Sequence, residues 1–420
     1  MKRIVVLGAG TGGALLSNRL ARKLGPKGWT VTVIDKSDTH IYQPGLLFLP
    51  FALYGHHGPE DITKPIRWPL DNRVAFVQAG VNLIDHAARK VETTGGTYPY
   101  DYLILALGCG VDPARVEGLA ETMDATAFTY YTLDGAMALQ KFFGRFDKGR
   151  VILNIAEMPI KCPVAPIEFV FLADYYFRLR GIRDKVEVDL VTPLSGAFTK
   201  PLASAALEGV AREKDIRIIG DFDIASVDGG RRVMRSWSGR EEPYDVLVTI
   251  PPHVAPEVIE NSGLADLSGF ADTDRASLKS RKAQNVYVVG DCSNIPTSKA
   301  GSVAHFSGEI VEHNLLAEIE GKEPPMAFDG HSNCFIESGH HKALLFDFNY
   351  DTQPLPGLFP FGGVGPFPLL KESRINHWGK MAFRHVYWWL LTTGRLPEGP
   401  WAPALMSLKG KHVELLARAR

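Results

Sequence analysis

A chain of 420 residues, 45% hydrophobic and 22% charged, is long enough for two or three domains with a well-buried core. Its formal net charge of -1 gives no argument for a nucleic-acid partner. Four cysteines, Cys109, Cys162, Cys292 and Cys334, are too few and too scattered for a disulfide scaffold, and no pair has metal-ligand spacing, so no metal is expected.

The opening MKRIVVLGAG reads as a first strand rather than a signal peptide, because its apolar run is short and passes straight into glycines. Gly8, Gly10 and Gly13 follow in GxGxxG spacing and lead into the helical pattern GGALLSNRLARKLG, then a second strand, TVTVID, ending at Asp35. The tight turn needs Gly8, close approach to a pyrophosphate needs Gly10, and packing of helix on strand needs Gly13. The helix N-terminus adds positive potential, and Asp35 stands where a carboxylate can accept ribose hydroxyls. This order of strand, helix, strand and acid predicts a bound dinucleotide.

Further along, YDYLILALG is a buried strand ending at Gly108, and NVYVVGDCSNIPTSKAGSVAHFSGEIVEHNL begins as a strand and ends as a helix, with Gly290, Asp291 and Gly301 at its turn. Through GxGxxG, LALG and VGD the chain resembles flavoproteins of the glutathione reductase type. The resemblance implies FAD, with Asp291 on the ribityl chain and the helix from Gly301 aimed at the isoalloxazine. It also implies a second βαβ unit. RVILNIAEM and KVEVDLVTP supply the strands of that unit, but PIKCPVAPIE stands where its glycine loop belongs. That loop has no glycine, and its prolines cannot donate backbone N–H groups to a pyrophosphate, so NAD(P) is not expected there. Cys162 lies beside Lys161 and just before the helical pattern APIEFVFLADYYFRL, a position expected to stabilise a thiolate.

KCPVAP with Glu168, SNC with Cys334 followed by ALLFDFNY, and PTSKAGSVA after Asp291 resemble the sulfide:quinone oxidoreductases and the flavoprotein subunits of flavocytochrome c sulfide dehydrogenase. The resemblance implies an α/β fold: two Rossmann-like dinucleotide-binding domains of the glutathione reductase type plus a C-terminal membrane-associating region. Residues 1–110 and 270–325 are expected to form a discontinuous FAD-binding domain. Residues 111–269 would form the second Rossmann-like domain, which carries Cys162, and residues 326–420 a C-terminal region with Cys334 and amphipathic helices. The resemblance further implies that Cys162 and Cys334 form the redox bridge and that Lys299 lies beside the flavin. Cys109 reads either as packing next to the flavin or as a third catalytic cysteine. Glu168 reads as a proton acceptor for incoming sulfide or as an acid that complements the helix dipole. His340 and His341 read as acid–base groups near Cys334 or as a polar turn.

From Lys371 to Arg420 there are nine Lys or Arg against three Glu, and four of the seven Trp: Trp378, Trp388, Trp389 and Trp401. Trp378, Met381, Ala382, His385 and Trp389 fall at helical spacing on one side, with Lys380 and Arg384 on another. Aromatics with flanking cations suit a helix lying in a membrane interface, and no apolar run is long enough to span a bilayer. A cut near Glu372 is therefore expected to spare the flavin site. Phe346 and Phe361 are candidates for lining a quinone slot, along with the segment LPFALYG.

The resemblance implies FAD-dependent oxidation of sulfide to sulfane sulfur or polysulfide, with electrons passed to a membrane quinone by a peripheral membrane protein, and leaves a homo-oligomer open. The alternatives are a sulfide dehydrogenase subunit that donates to cytochrome c, and a type II NADH:quinone oxidoreductase.

Overall fold

The computed structural model describes residues 2–360, 365–397 and 404–418. The unbroken apolar run Ile4–Leu7 can pack on both faces, as the centre of a parallel sheet requires. It belongs to strand β1, Lys2–Leu7, which is joined through helix α1, Thr11–Leu24, to β2, Trp29–Asp35. Strands β3, Val74–Gln78, and β4, Tyr102–Leu105, flank this pair in parallel register. Gly8 turns the chain out of β1 with φ of 97°, where a Cβ would stand 2.3 Å from the Ala106 carbonyl oxygen. Gly13 lets α1 pack onto that same turn, because a Cβ there would come within 1.8 Å of the Gly8 oxygen.

The second sheet repeats this scheme with its own chain segments. It comprises β5, Ala127–Phe128; β6, Gly149–Ile155; β7, Val186–Val191; β8, Arg217–Ile219; and β9, Val246–Ile250. Helix α2, Ala165–Leu179, crosses from β6 to β7 and is apolar nearly all round, as befits a helix packed on several sides. Phe169, Phe171, Leu172 and Phe177 on it are fully buried, each stabilising the core by roughly 1.5–3 kcal/mol.

The chain then returns to the first sheet as β10, Val286–Val288, which pairs with β4 and leads to helix α3, Gly301–Ile319. The first sheet thus has the order β10-β4-β1-β2-β3 and the second β5-β9-β6-β7-β8, all parallel. Strand order reverses between β1 and β4 in one sheet and between β6 and β9 in the other. Those reversal points, at the carboxyl ends of the strands, are where such sheets hold ligands.

An antiparallel hairpin, β11, Ser332–Gly339, and β12, Lys342–Phe348, packs with α2 on one side and with helix α4, Arg374–Val386, on the other. A π-helical turn, Tyr387–Leu391, extends α4. Among the described residues no helix is long and apolar enough to cross a membrane.

Candidate active site

At the first reversal point, Gly10 is open: a Cβ built there meets nothing within 4 Å. The amide ends of α1 and α3 flank this space, and Asp35 closes β2 with its carboxylate accepting from the Ala9 amide at 2.7 Å and the Ser37 amide at 2.9 Å. Gly108 and Gly290 both turn with positive φ, and Gly301 has no neighbour within 4 Å of a built Cβ. Burial pushes the Asp291 carboxyl up, while Lys161 and Lys299 pull it back. An open glycine lip, two helix N-termini and two carboxylates at a parallel-sheet reversal fit the diphosphate and sugar portions of FAD.

The second reversal point is filled. Ile160, Val164, Ala165 and Ile167 are buried where a pyrophosphate would need room. Cys162 sits at φ of 47°, with its amide donating to the Lys299 carbonyl at 2.7 Å and its carbonyl accepting from Ala165 at 2.8 Å. The Lys161 amide donates across the reversal to Nε2 of His253 at 3.2 Å. The loop after β6 is therefore sewn to the segment that begins α3.

Cys334 arrives from the other side. It lies on β11 next to Asn333, whose amide donates to Ser302 Oγ at 3.3 Å in the first turn of α3. Both cysteines thus hang from residues 299–302, despite their separation in sequence. They are free thiols and partly exposed as residues. Burial is nonetheless the largest influence on each: it pushes the Cys334 thiol up to about 11 and raises that of Cys162 further, with Cys334 and then Glu168 adding to the second shift.

This corrects the expectation of a thiolate made by Lys161 and a helix N-terminus. The desolvation of the loop wins, and the cation that favours both thiolates is Lys380 of α4. Lys380 turns inward, donating from Nζ to Glu168 Oε1 and, at 3.0 Å, to the carbonyl of Phe335 beside Cys334. Glu168 is 1% exposed and also accepts from the Glu337 amide at 2.5 Å. Burial raises its carboxyl, and Lys380 opposes the rise. Its bonds go to β11 and α4, so it does more than complement the dipole of its own helix.

Lys299 is buried too, its Nζ held by the carbonyls of Asp291 and Ser293 at 2.8 Å each and lying 3.9 Å from the Phe270 ring centre. Cys109 follows Gly108 within electrostatic reach of Asp291, Lys161 and Lys299, and its thiol is raised chiefly by burial. Cys292 is fully buried in the first domain's core. Phe346 pairs with Cys334 across the hairpin and is fully buried against Phe198, while Leu49 and Phe51 of LPFALYG lie in the same core. Phe361 lies outside the described residues, as does Trp401.

The amphipathic pattern of α4 is inverted. Ile375, Trp378, Ala382, His385 and Trp389 face outward, with Trp378 65% and Trp389 60% exposed. Asn376, His377, Lys380, Arg384 and Tyr387 face the protein, so Lys380 and Arg384 do not flank the outer stripe as the sequence suggested. Tyr387 Oη lies 2.9 Å from Thr11 Oγ1 and 2.7 Å from His40 Nε2. Asn18 donates to the Thr392 carbonyl at 2.9 Å, and Arg22 to that of Thr393 at 3.0 Å. The tail is thereby bolted to α1, and a cut near Glu372 would strip the first dinucleotide site of its support. The polar spacing of residues 377, 380, 384 and 387 opposite the tryptophans was a sequence signal for this inward face.

The family model for pyridine nucleotide-disulphide oxidoreductases matches residues 2–143, the segment that carries β1 to β4 and most of the first reversal point. The chain is 29% identical over 374 residues to the mitochondrial sulfide:quinone oxidoreductase of Mus musculus, covering 85% of this chain and 80% of that one. It is 27% identical over 405 residues to the mitochondrial sulfide:quinone oxidoreductase of Dictyostelium discoideum, with 94% and 86% covered. The solved sulfide:quinone oxidoreductase of Aquifex aeolicus superposes with a TM-score of 0.80 at 22% identity over 95% of this chain and 93% of that one, a likeness of fold. The chain is an enzyme that resembles the sulfide:quinone oxidoreductases along most of its length.

Proposed function

We propose that this protein oxidises sulfide through Cys162 and Cys334 and delivers the electrons, by way of FAD, to a membrane quinone. The observation that carries the reading is that the segments of Cys162 and Cys334 are both tied to residues 299–302, within electrostatic reach of Glu168 and Lys380. Hydrosulfide attacks one sulfur of the oxidised pair; its own sulfur forms a persulfide there, the bond between the two cysteines breaks, and the other cysteine leaves as a thiolate. Lys380 Nζ holds that developing negative charge, and Glu168 takes the proton from the incoming sulfide. Gly8, Gly10, Gly13, Asp35, Gly108, Gly290, Asp291 and Gly301 would hold FAD, which when bound supplies a two-electron acceptor between thiols and quinone. Lys299 orients Cys162 through its carbonyl, and Cys109 serves packing near the flavin. The sulfane sulfur leaves as a polysulfide or on an acceptor.

The outward stripe of α4 seats the protein on the membrane surface, where apolar side chains enter the interface without spanning it. Phe346, in the core beneath Cys334, supports the site's wall rather than an open quinone slot. Anaerobic mixing of the FAD-loaded protein with sulfide, and separately with NADH, tests the reading by flavin absorbance. Sulfide should bleach the flavin and micromolar NADH should not; rapid bleaching by NADH would make it an NADH:quinone oxidoreductase instead.

A further inference from the structure

The cysteine site is enclosed by apolar packing, yet the reaction proposed above must release a proton there. As HS⁻ becomes sulfane sulfur it gives up two electrons and one proton. The electrons go to quinone, which takes up two protons where it is reduced, so the proton set free at the cysteines needs an outlet of its own.

One string of polar groups leaves the site. Glu168 Oε1 accepts from the Glu337 backbone amide at 2.5 Å, and the two carboxyl groups are within electrostatic reach of each other. The Glu337 carboxylate meets Nδ1 of His377 at 2.9 and 3.0 Å. Nε2 of the same ring lies 3.4 Å from Nδ1 of His341. Glu337 is fully buried and His377 is 2% exposed, whereas His341, at the hairpin tip, is exposed. A carboxylate and an imidazole buried together stabilise a fold less than apolar residues of the same size would, so their presence calls for another role. The His377 ring, engaged at both nitrogens, is arranged to take a proton on one side and give one up on the other.

We propose that Glu337, His377 and His341 form the proton outlet of the cysteine site. The proton taken by Glu168 passes to the Glu337 carboxylate, then to His377 Nδ1, while Nε2 releases one to His341 and so to solvent. Lys380 keeps its charge throughout. Facing the string are Lys380, Cys162, Cys334 and Tyr42 at the Glu168 end, and Tyr54 and Tyr175 at the imidazole end. The neighbouring His340 stands apart, its ring 4.7 Å from Tyr175.

The proposal rests on the sulfide reading, and the experiment separates the two. FAD-loaded protein is mixed with saturating sulfide and decyl-quinone, and quinone reduction is followed by absorbance while sulfide loss is followed independently; quinone takes up two protons for the one that HS⁻ gives, so the outlet is read from the rate. His377→Gln keeps a hydrogen bond to Glu337 but cannot carry a proton. It should slow quinone reduction by sulfide about tenfold or more, enlarge the solvent isotope effect, and regain speed with added imidazole. His341→Gln, at an exposed position, should show the same defect more weakly, and His340→Gln, with the same left-handed backbone, should match wild type. Wild-type rates of quinone reduction in both His377→Gln and His341→Gln, or a slow rate that imidazole does not restore, overturn the outlet alone. Wild-type protein that consumes no sulfide overturns the sulfide reading and the outlet with it.

Discussion

At the end of β1 the chain turns on Gly8 and leaves Gly10 open to solvent; at the end of β6 it turns through Pro159, Lys161 and Cys162 and buries Ile160 and Val164. The strand order around the two turns is the same. The same strand order therefore supports an open glycine turn in one half and a loop carrying a half-buried thiol in the other, and a handful of loop residues decides which. Glycine leaves backbone amides free and space above them. Proline and apolar side chains remove both.

The sharpest way to break this comparison is to remove the thiols. Cys162→Ser and Cys334→Ser should each lower sulfide-dependent quinone reduction on the order of a thousandfold or more, with FAD content unchanged, whereas Cys109→Ser should stay within a few fold. Retained activity in either of the first two would dissociate the second turn from the chemistry. The first turn is tested by Gly13→Ala, whose Cβ would press on the Gly8 carbonyl. It should cost about 3 kcal/mol of stability and most of the bound FAD, read by thermal melting and by flavin absorbance after desalting.

Acidity provides a subtler contrast. Cys334, raised to about 11, should react with iodoacetamide at pH 8 roughly a hundredfold more slowly than an exposed thiol of ordinary acidity. The unfolded chain loses this proton first, so the thiol's contribution to stability should fall away as pH rises from about 9 to about 11. Melting curves of wild type and Cys334→Ser that diverge across that window would agree; parallel curves would mean that the sulfur is not desolvated. The two faces of the tail give the smallest effects. Trp378→Ala with Trp389→Ala should weaken sedimentation with liposomes roughly tenfold or more without lowering the melting temperature. Tyr387→Phe should do the reverse, costing about 1 kcal/mol of stability with liposome binding intact.

How far the sequence revealed this site depended on distance along the chain. The turn at Gly8 to Gly13 and the acid at Asp35 are written within one βαβ unit, and each glycine's reason is a neighbour a few residues away or on the next strand. The loss of the second cradle was equally local, since PIKCPVAPIE could be read without knowing what packs on it. The ionic setting of the cysteines was not legible, because Lys380 reaches Glu168 across 212 positions. Lys161, the obvious cation next door in sequence, is not the one that favours the Cys162 thiolate. On α4, by contrast, the outward tryptophans were legible from local spacing, but the partners of the opposite polar face, Glu168 and Thr11, lie hundreds of positions away. His340 and His341 were indistinguishable as neighbours in a turn, and only the approach of His377 separates them.

The bond between Thr11 and Tyr387 joins residues 376 positions apart, and Asn18 and Arg22 make similar spans to Thr392 and Thr393. During synthesis, at about 5–20 residues per second, the N-terminal strands emerge tens of seconds before their partner segment exists. The first dinucleotide unit must wait, partly assembled, until the C-terminal helix has left the ribosome and folded back over α1. Ribosome-bound chains stopped before residue 387 should therefore be sensitive to protease within α1, and protection should appear only once residue 394 has cleared the exit tunnel.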